Sequence, residues 1–219
     1  MNSIRKQHNN IKRRLIEENV VQGQDVLDVG CGCGGDINKW FNQGVMPVMC
    51  DPDYSSLMEL KKRLRGIPCR VYHGDIHSIP VNEQFDVICY NFSLQYIFET
   101  EECFKNTIQC IKNHLKLGGK LIGCIPNSDF IIMNPKFKDD MGNYIIRKDT
   151  RGDFGEKLFV HLAYTPYYKS GPKPEPIAHK DVLVTSLQDL GIHLLRWKPF
   201  ESVYDISKMY AEFIFVSVY

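Results

Sequence analysis

Three aspartates, Asp28, Asp51 and Asp75, each stand at the end of a short apolar run, and the first run leads into four closely spaced glycines, "VLDVGCGCGGDINKW", Val26 to Trp40. Gly30, Gly32, Gly34 and Gly35 allow backbone to approach a ligand closely and to take positive φ. A loop of this kind can hold a dinucleotide, a nucleotide phosphate, a metal ion or a cationic cofactor. The nucleotide-triphosphate pattern is excluded because no G-K-[ST] follows. Asp28 lies two residues before Gly30, where its charge would repel a pyrophosphate at the following helix start. An acid there suits a cation. S-adenosylmethionine offers one in its α-ammonium and sulfonium, and its carboxylate can still use loop N–H groups. Asp51 stands 21 residues after Gly30, where doubly wound folds place the acid that binds both ribose hydroxyls. Asp75 is placed to receive an adenine amino group. Any one of them is an ordinary turn residue; three at successive strand ends together predict a site for S-adenosylmethionine.

Metal is not expected. Cys31 and Cys33 form a C-x-C pair with no second Cys or His pair at zinc spacing. His73 and His77 are four apart, but the glycine and β-branched residues around them predict strand and turn. Cys50, Cys69, Cys89 and Cys124 sit in or beside apolar runs and read as small core residues, so all eight cysteines are expected to be reduced.

The elements that must hold these residues follow from periodicity. A basic amphipathic helix is predicted near residues 8 to 19, in an N-terminal segment 1–20. The strand "DVLDVG" and a helix from Asp36 make the first strand–loop–helix unit. The pattern recurs as "VMPVMCDPD" with a helix from Ser55 to Leu64, then "CRVYHGDI", then "FDVICYNF". A helix from Glu101 to Leu115 follows, stopped by Gly118 and Gly119, and then the strand "KLIGCIP". Such alternation predicts a doubly wound, mostly parallel sheet. From residue 127 to 176 the chain turns to short strand-like pieces, "NYIIRKD" and "KLFVHLAY", and the Pro-rich "TPYYKSGPKPEP"; this reads as an insertion over the crevice. "KDVLVTSLQDLG" reads as a helix closed by Gly191, and "IHLLRWKPF" with "AEFIFVSVY" as a terminal hairpin at the sheet edge. The count is seven strands in a single domain spanning 1–219.

With 219 residues and a formal net charge of +1, bulk charge does not mark a nucleic-acid binder, yet the charge is uneven. Basic residues gather in "RKQHNNIKRR" and "KKRLR", either as solvated helix faces or as a phosphate-attracting rim. No run reaches the roughly 18 apolar residues of a membrane span, and the polar N-terminus lacks a signal peptide's apolar stretch. The expectation is a soluble intracellular protein, in the cytoplasm or, if cellular, in the nucleus.

"VLDVGCGCGGDINKW", "NFSLQYIFET", "LKLGGKLIGCIPNSDFII" and the upstream "HNNIKRRLI" resemble the mRNA cap guanine-N7 methyltransferase family, and the compact chain resembles the methyltransferase module of large DNA virus capping enzymes. The resemblance runs from about residue 8 to the end, and is thin across the insertion. It implies a class I S-adenosylmethionine-dependent, Rossmann-like fold and methylation of guanine N7 in the 5′ cap GpppN. It also implies capped mRNA as partner, together with other capping-enzyme domains or an activating subunit. Carried over residue by residue, it places Lys12, Gly30, Asp51, Asp75 and Tyr96 on cofactor-binding positions, and Asp28 and Gly32 in the same loop. Lys39 falls on the cap side, with Asn9, Asn10 and Phe92 beside it. Glu175 falls on the glutamate that grips guanine and Tyr210 on a cap-binding tyrosine. Three positions depart: Cys33 replaces a lysine, Asn91 a cofactor-binding glutamine, and Gln95 a histidine beside the guanine.

The chemistry agrees with this without a general base. N7 carries a lone pair and no proton, so alignment with the sulfonium methyl is the main task. Glu175 would accept guanine N–H groups and stabilise the charge that passes to the purine, while Phe92, Tyr96 or Tyr210 would stack. No residue is assigned as a proton-transfer catalyst; Glu175, Gln95 and Tyr96 are nearest the acceptor. "NFSL" in place of an N-P-P-Y sequence disfavours methylation of exocyclic base amines. Two other readings stay open: a small-molecule acceptor, and a catalytically inactive RNA-binding subunit.

Overall fold

A computed structural model of the chain describes residues 3–148, 152–163, 168 and 170–218. Its main sheet has seven strands: β1 (Val26–Val29), β2 (Val48–Asp51), β3 (Val71–His73), β4 (Phe85–Asn91), β5 (Leu115–Pro126), β10 (Ile192–Pro199) and β11 (Tyr210–Ser217). The spatial order is β10-β11-β5-β4-β1-β2-β3. Neighbours from β5 to β3 pair in parallel, and β11 runs antiparallel between β5 and β10. The predicted mostly parallel sheet and terminal hairpin are therefore present, with β10 at the edge.

Period-two burial explains why the sheet is covered on both sides. Val26, Val87, Cys89, Ile122 and Ile214 face one core, with Ile4, Leu15 and Ile16 of α1 (Ser3–Asn19) and Trp40 of α2 (Ile37–Asn42). Leu27, Ile88, Leu121, Ile125 and Phe213 face the other, with Phe104 and Ile111 of α4 (Glu101–His114) and Leu183 and Leu187 of α6 (Lys180–Asp189). Buried Leu57, Leu60 and Leu64 of α3 (Tyr54–Leu64) pack with Met49. At roughly 1.5–3 kcal/mol for each fully buried Leu or Ile, these stripes outweigh the low helix propensity of α1's three asparagines. Helix α1 begins at Ser3, earlier than the periodicity indicated, because Ile4 extends the buried stripe.

Gly118 and Gly119 do not stop α4. The helix ends at His114, whose Nδ1 lies 2.7 Å from the Glu83 carbonyl oxygen. The glycines lie inside β5 at an irregularity: Leu115 pairs with Phe85 while Lys120 pairs with Val87, and Gly118 takes φ +75°.

The segment from residue 127 to 176 forms the short helix α5 (Ser128–Met133) and a second sheet. Strands β6 (Lys136–Lys138), β7 (Tyr144–Lys148), β8 (Lys157–His161) and β9 (Lys173–Pro176) are antiparallel in that order. Two prolines in β9 are tolerated because it is an edge strand. Asp149 of "NYIIRKD", Tyr164 of "KLFVHLAY" and 165–167 and 169 of the Pro-rich stretch lie outside the described residues.

Candidate functional site

At the carboxyl ends of β1 and β2 lies a cavity of about 680 Å³. One set of its walls comes from the glycine loop and strand ends: Gly30, Gly32, Asp51, Asp75 and Ile76. The other comes from the turn after β4, the insertion and β11: Phe92, Gln95, Tyr168, Glu175 and Tyr210, with half-exposed Tyr96 beside them.

Asp51 fixes the loop. Its Oδ2 accepts from the Gly32 N–H at 2.7 Å and its Oδ1 from the Asp53 N–H at 2.8 Å. Gly30 takes φ +72°, and a Cβ there would lie 2.4 Å from the Ser93 Cβ, so this glycine is required by packing. Gly32 differs: at φ +51° a Cβ would meet nothing within 4 Å, which leaves bare backbone facing the cavity. Asp75 lines the wall while its Oδ1 accepts from the His77 N–H at 3.0 Å.

On the acceptor side, Glu175 of β9 is buried and forms no ion pair among the described residues. It accepts from Gln95 Nε2 at 3.2 Å and from the Tyr168 hydroxyl at 3.0 Å. Burial pushes its pKa up, against these two hydrogen bonds. Gln95 also donates to the Phe92 carbonyl at 3.0 Å, and its buried Oε1 has no hydrogen-bond partner among the described residues. Phe92 sits at φ +64° and meets Tyr210 edge-on, ring centroids 5.0 Å apart. Tyr168, which the sequence did not single out, and the turn residue Ser93, which donates to the Val29 carbonyl at 2.6 Å, complete these walls.

Several sequence-predicted residues lie elsewhere. Asp28 is not in the cavity wall. It is buried beneath the loop, accepts from Trp40 Nε1 at 2.9 Å, and burial together with nearby Asp36 raises its pKa to about 7. A direct contact with a ligand cation is therefore not what this acid is built for. Lys39 is buried as well and does not face the cavity. Its ammonium donates to Asp36 Oδ1 at 2.5 Å, the Gly35 carbonyl at 3.1 Å and Asn9 Oδ1 at 3.2 Å. Asn91 lies off the wall, donating to Asp36 Oδ2 at 3.0 Å. Lys12 contacts the same carboxylate at 2.8 Å and, with Asn9, lines an adjoining groove. Asn10 points outward, accepting from Arg13 at 3.2 Å.

Asp36, expected only to start a helix, is thus the hub that ties α1, the glycine loop and β4 together. Burial alone would raise its carboxyl pKa; Lys12 and Lys39 outweigh that and hold it low. His8 of α1 was also missed. It packs edge-on against Tyr210 with centroids 5.3 Å apart, and burial with the charge of Lys12 lowers its pKa to about 4.

Residues 26–119 match the methyltransferase domain family, and residues 74–213, well over half of the chain, match the mRNA (guanine-N(7))-methyltransferase domain. The chain belongs to the mRNA (guanine-N7)-methyltransferase family. Among similar members, the mRNA cap guanine-N(7) methyltransferase of Schizosaccharomyces pombe is 36% identical over 148 residues, 60% of this chain and 41% of that protein. The Saccharomyces cerevisiae enzyme is 32% identical over 145 residues, 58% of this chain and 33% of that protein. The chain thus spans less than half the length of these relatives. Among solved structures, a putative S-adenosylmethionine-dependent methyltransferase from Listeria monocytogenes superposes with TM-score 0.69 at 14% identity, covering 99% of both chains. A glycopeptide N-methyltransferase complexed with S-adenosyl-L-methionine gives 0.63 at 15%, covering 96% of this chain and 93% of that one. The fold is accordingly that of the class I S-adenosylmethionine-dependent methyltransferases.

Proposed function

We propose that this member of the guanine-N7 methyltransferase family binds S-adenosylmethionine along the glycine loop and methylates N7 of the terminal guanine of a capped RNA. The observation that carries the reading is that one cavity joins the Asp51-clamped loop to an acceptor set of Glu175, Gln95 and two flanking aromatics.

The chain's own groups fit the cofactor. Gly32 exposes backbone to the cavity, Asp51 and Asp75 offer carboxylates at successive strand ends for hydroxyl and amino donors, and Ile76 and Tyr96 supply apolar surface. S-adenosylmethionine, when bound, supplies an electrophilic methyl group on a sulfonium centre.

On the acceptor side, Glu175 and Gln95 Oε1, which has no partner among the described residues, together present acceptors to a ligand. That polarity suits the N–H groups of a guanine edge, and Phe92 and Tyr210 offer ring faces and edges for stacking. No residue needs to remove a proton. The task of these side chains is to hold the base in line and to place a buried negative charge near a purine that becomes cationic. The electrostatic effect is strengthened because Glu175 is buried.

The test is incubation of the protein with GpppA and methyl-labelled S-adenosylmethionine. Label on the terminal guanine is expected; turnover of small acceptors that cap analogues do not inhibit would point to a different substrate.

A further inference from the structure

We propose that Glu156, immediately before β8, is a positioning residue for the acceptor site: it holds the strand carrying Glu175 in place against Gln95. This rests on the cap reading above. The Gln95–Glu175 bond joins two separately built pieces, the short 3-10 helix Leu94–Glu99 of the main domain and β9 of the insertion. Among the described strands β9 pairs only with β8, so the sheet steadies it from one side alone.

Residues 154–157 connect the two pieces. Toward the main domain, Phe154 stacks on Phe98 with ring centroids 5.8 Å apart and meets Phe104 at 5.3 Å. The Gly155 N–H donates to the Phe98 carbonyl at 2.8 Å, and the Lys157 ammonium meets Glu99. Phe98 and Glu99 belong to the same 3-10 helix as Gln95. Toward β9, the Glu156 carbonyl accepts from the Ile177 N–H at 3.0 Å, just where the strand ends. The Glu156 carboxylate then reaches two further elements. Its Oε2 lies 3.0 Å from His179 Nε2, and its Oε1 accepts from Arg147 Nε of β7. In the ladder between these contacts, Leu158 stands opposite Glu175. One residue therefore ties the exit of β9 to β7 and to the segment docked on the helix of Gln95.

Glu156 is only 1% exposed, and a buried ion pair adds little net stability over apolar packing of the same volume. Ile145, Leu158 and Val160 already give the insertion an apolar core. What the carboxylate adds is direction, because its two oxygens are met by oriented donors on opposite flanks of the strand. Glu175 is the group that such fixed geometry serves, since its hydrogen bond to Gln95 spans the junction.

The test is steady-state kinetics with GpppA, together with titration by S-adenosylhomocysteine. Glu156→Ala is expected to raise KM for GpppA on the order of tenfold and to leave S-adenosylhomocysteine affinity unchanged. Glu156→Gln, which keeps the shape and hydrogen-bonding reach, is expected to recover most of the loss. The deciding comparison is the double-mutant cycle: in a Glu175→Gln background, Glu156→Ala is expected to add less than about twofold. A full additive loss there, or equal weakening of both ligands, would mean general support of the fold and would overturn the proposal. If Glu156→Ala does not fold, His179→Ala is taken through the same cycle, where a smaller non-additive rise supports the proposal and none rejects it. If the unaltered protein does not methylate GpppA, the cap reading fails separately. The Gln95 side-chain amide resonance then judges the positioning: Glu156→Ala is expected to shift it as Glu175→Gln does, and an unmoved resonance rejects the role.

Discussion

Gln95 donates from Nε2 to Glu175 Oε2 at 3.2 Å, joining the turn after β4 to the edge strand of the insertion across 80 positions of sequence. The bond leaves Gln95 Oε1 buried without a partner among the described residues. An unmet acceptor beside a buried carboxylate normally costs about 1–3 kcal/mol, and a ligand that donates to both would recover it.

Glu175→Gln therefore tests the acceptor wall. Hydrogen bonds to a charged group contribute about 1.5–3 kcal/mol, so KM for GpppA should rise at least about tenfold while S-adenosylhomocysteine affinity barely changes. Calorimetric titration of both ligands checks this; equal weakening of the two would remove Glu175 from base recognition.

Asp51→Ala should give the opposite split. The carboxylate holds the Gly32 and Asp53 N–H groups as well as facing the cavity, so its loss should weaken cofactor binding by more than about tenfold and leave cap-analogue binding nearly intact.

Asp36→Ala would leave Lys12 and Lys39 without their shared counter-charge. Breaking a buried ion pair from one side costs about 3–5 kcal/mol, a fall in Tm on the order of 10 °C for a chain of this size. A melting curve within a degree or two of the parent would show that this hub contributes little.

Acid should destabilise the fold through His8. Its pKa is about 4 in the folded chain against an ordinary histidine value of 6.5, so in between the unfolded state binds more protons. The stability it contributes is present above about pH 6.5 and is lost as pH falls toward 4, with an upper bound of about 3 kcal/mol. Asp28, raised to about 7, works with the opposite sign, favouring the fold at low pH. Urea midpoints at pH 7 and pH 5 for the parent and His8→Asn isolate the histidine: the variant should lose less on acidification.

The fold was legible because strand periodicity and strand-end acids are local signals. Asp51 and Asp75 stand in the cavity wall, as does Tyr210 at the start of β11. What local reading could not supply were roles set by distant partners. Lys39 looks like a free cation on a short helix, yet Asn9, Gly35 and Asp36 take all its donors once α1 packs against the loop. Asp36 looks like a helix start, but Lys12 and Asn91 reach it from 24 positions before and 55 after. Asp28 carries the motif's chemistry on paper, and burial under Trp40 removes it from the cavity. The Gly118–Gly119 pair reads as a helix stop, whereas sheet pairing makes it an irregularity within β5.

The central claim is met most directly by reacting the protein with methyl-labelled S-adenosylmethionine and GpppA-capped RNA, then digesting the product and locating the label. The expected result is label in 7-methylguanosine at the cap, reduced at least about tenfold by Glu175→Gln at limiting cap. Label on a ribose or an internal base, or efficient cofactor binding with no transfer to the terminal guanine, would contradict it.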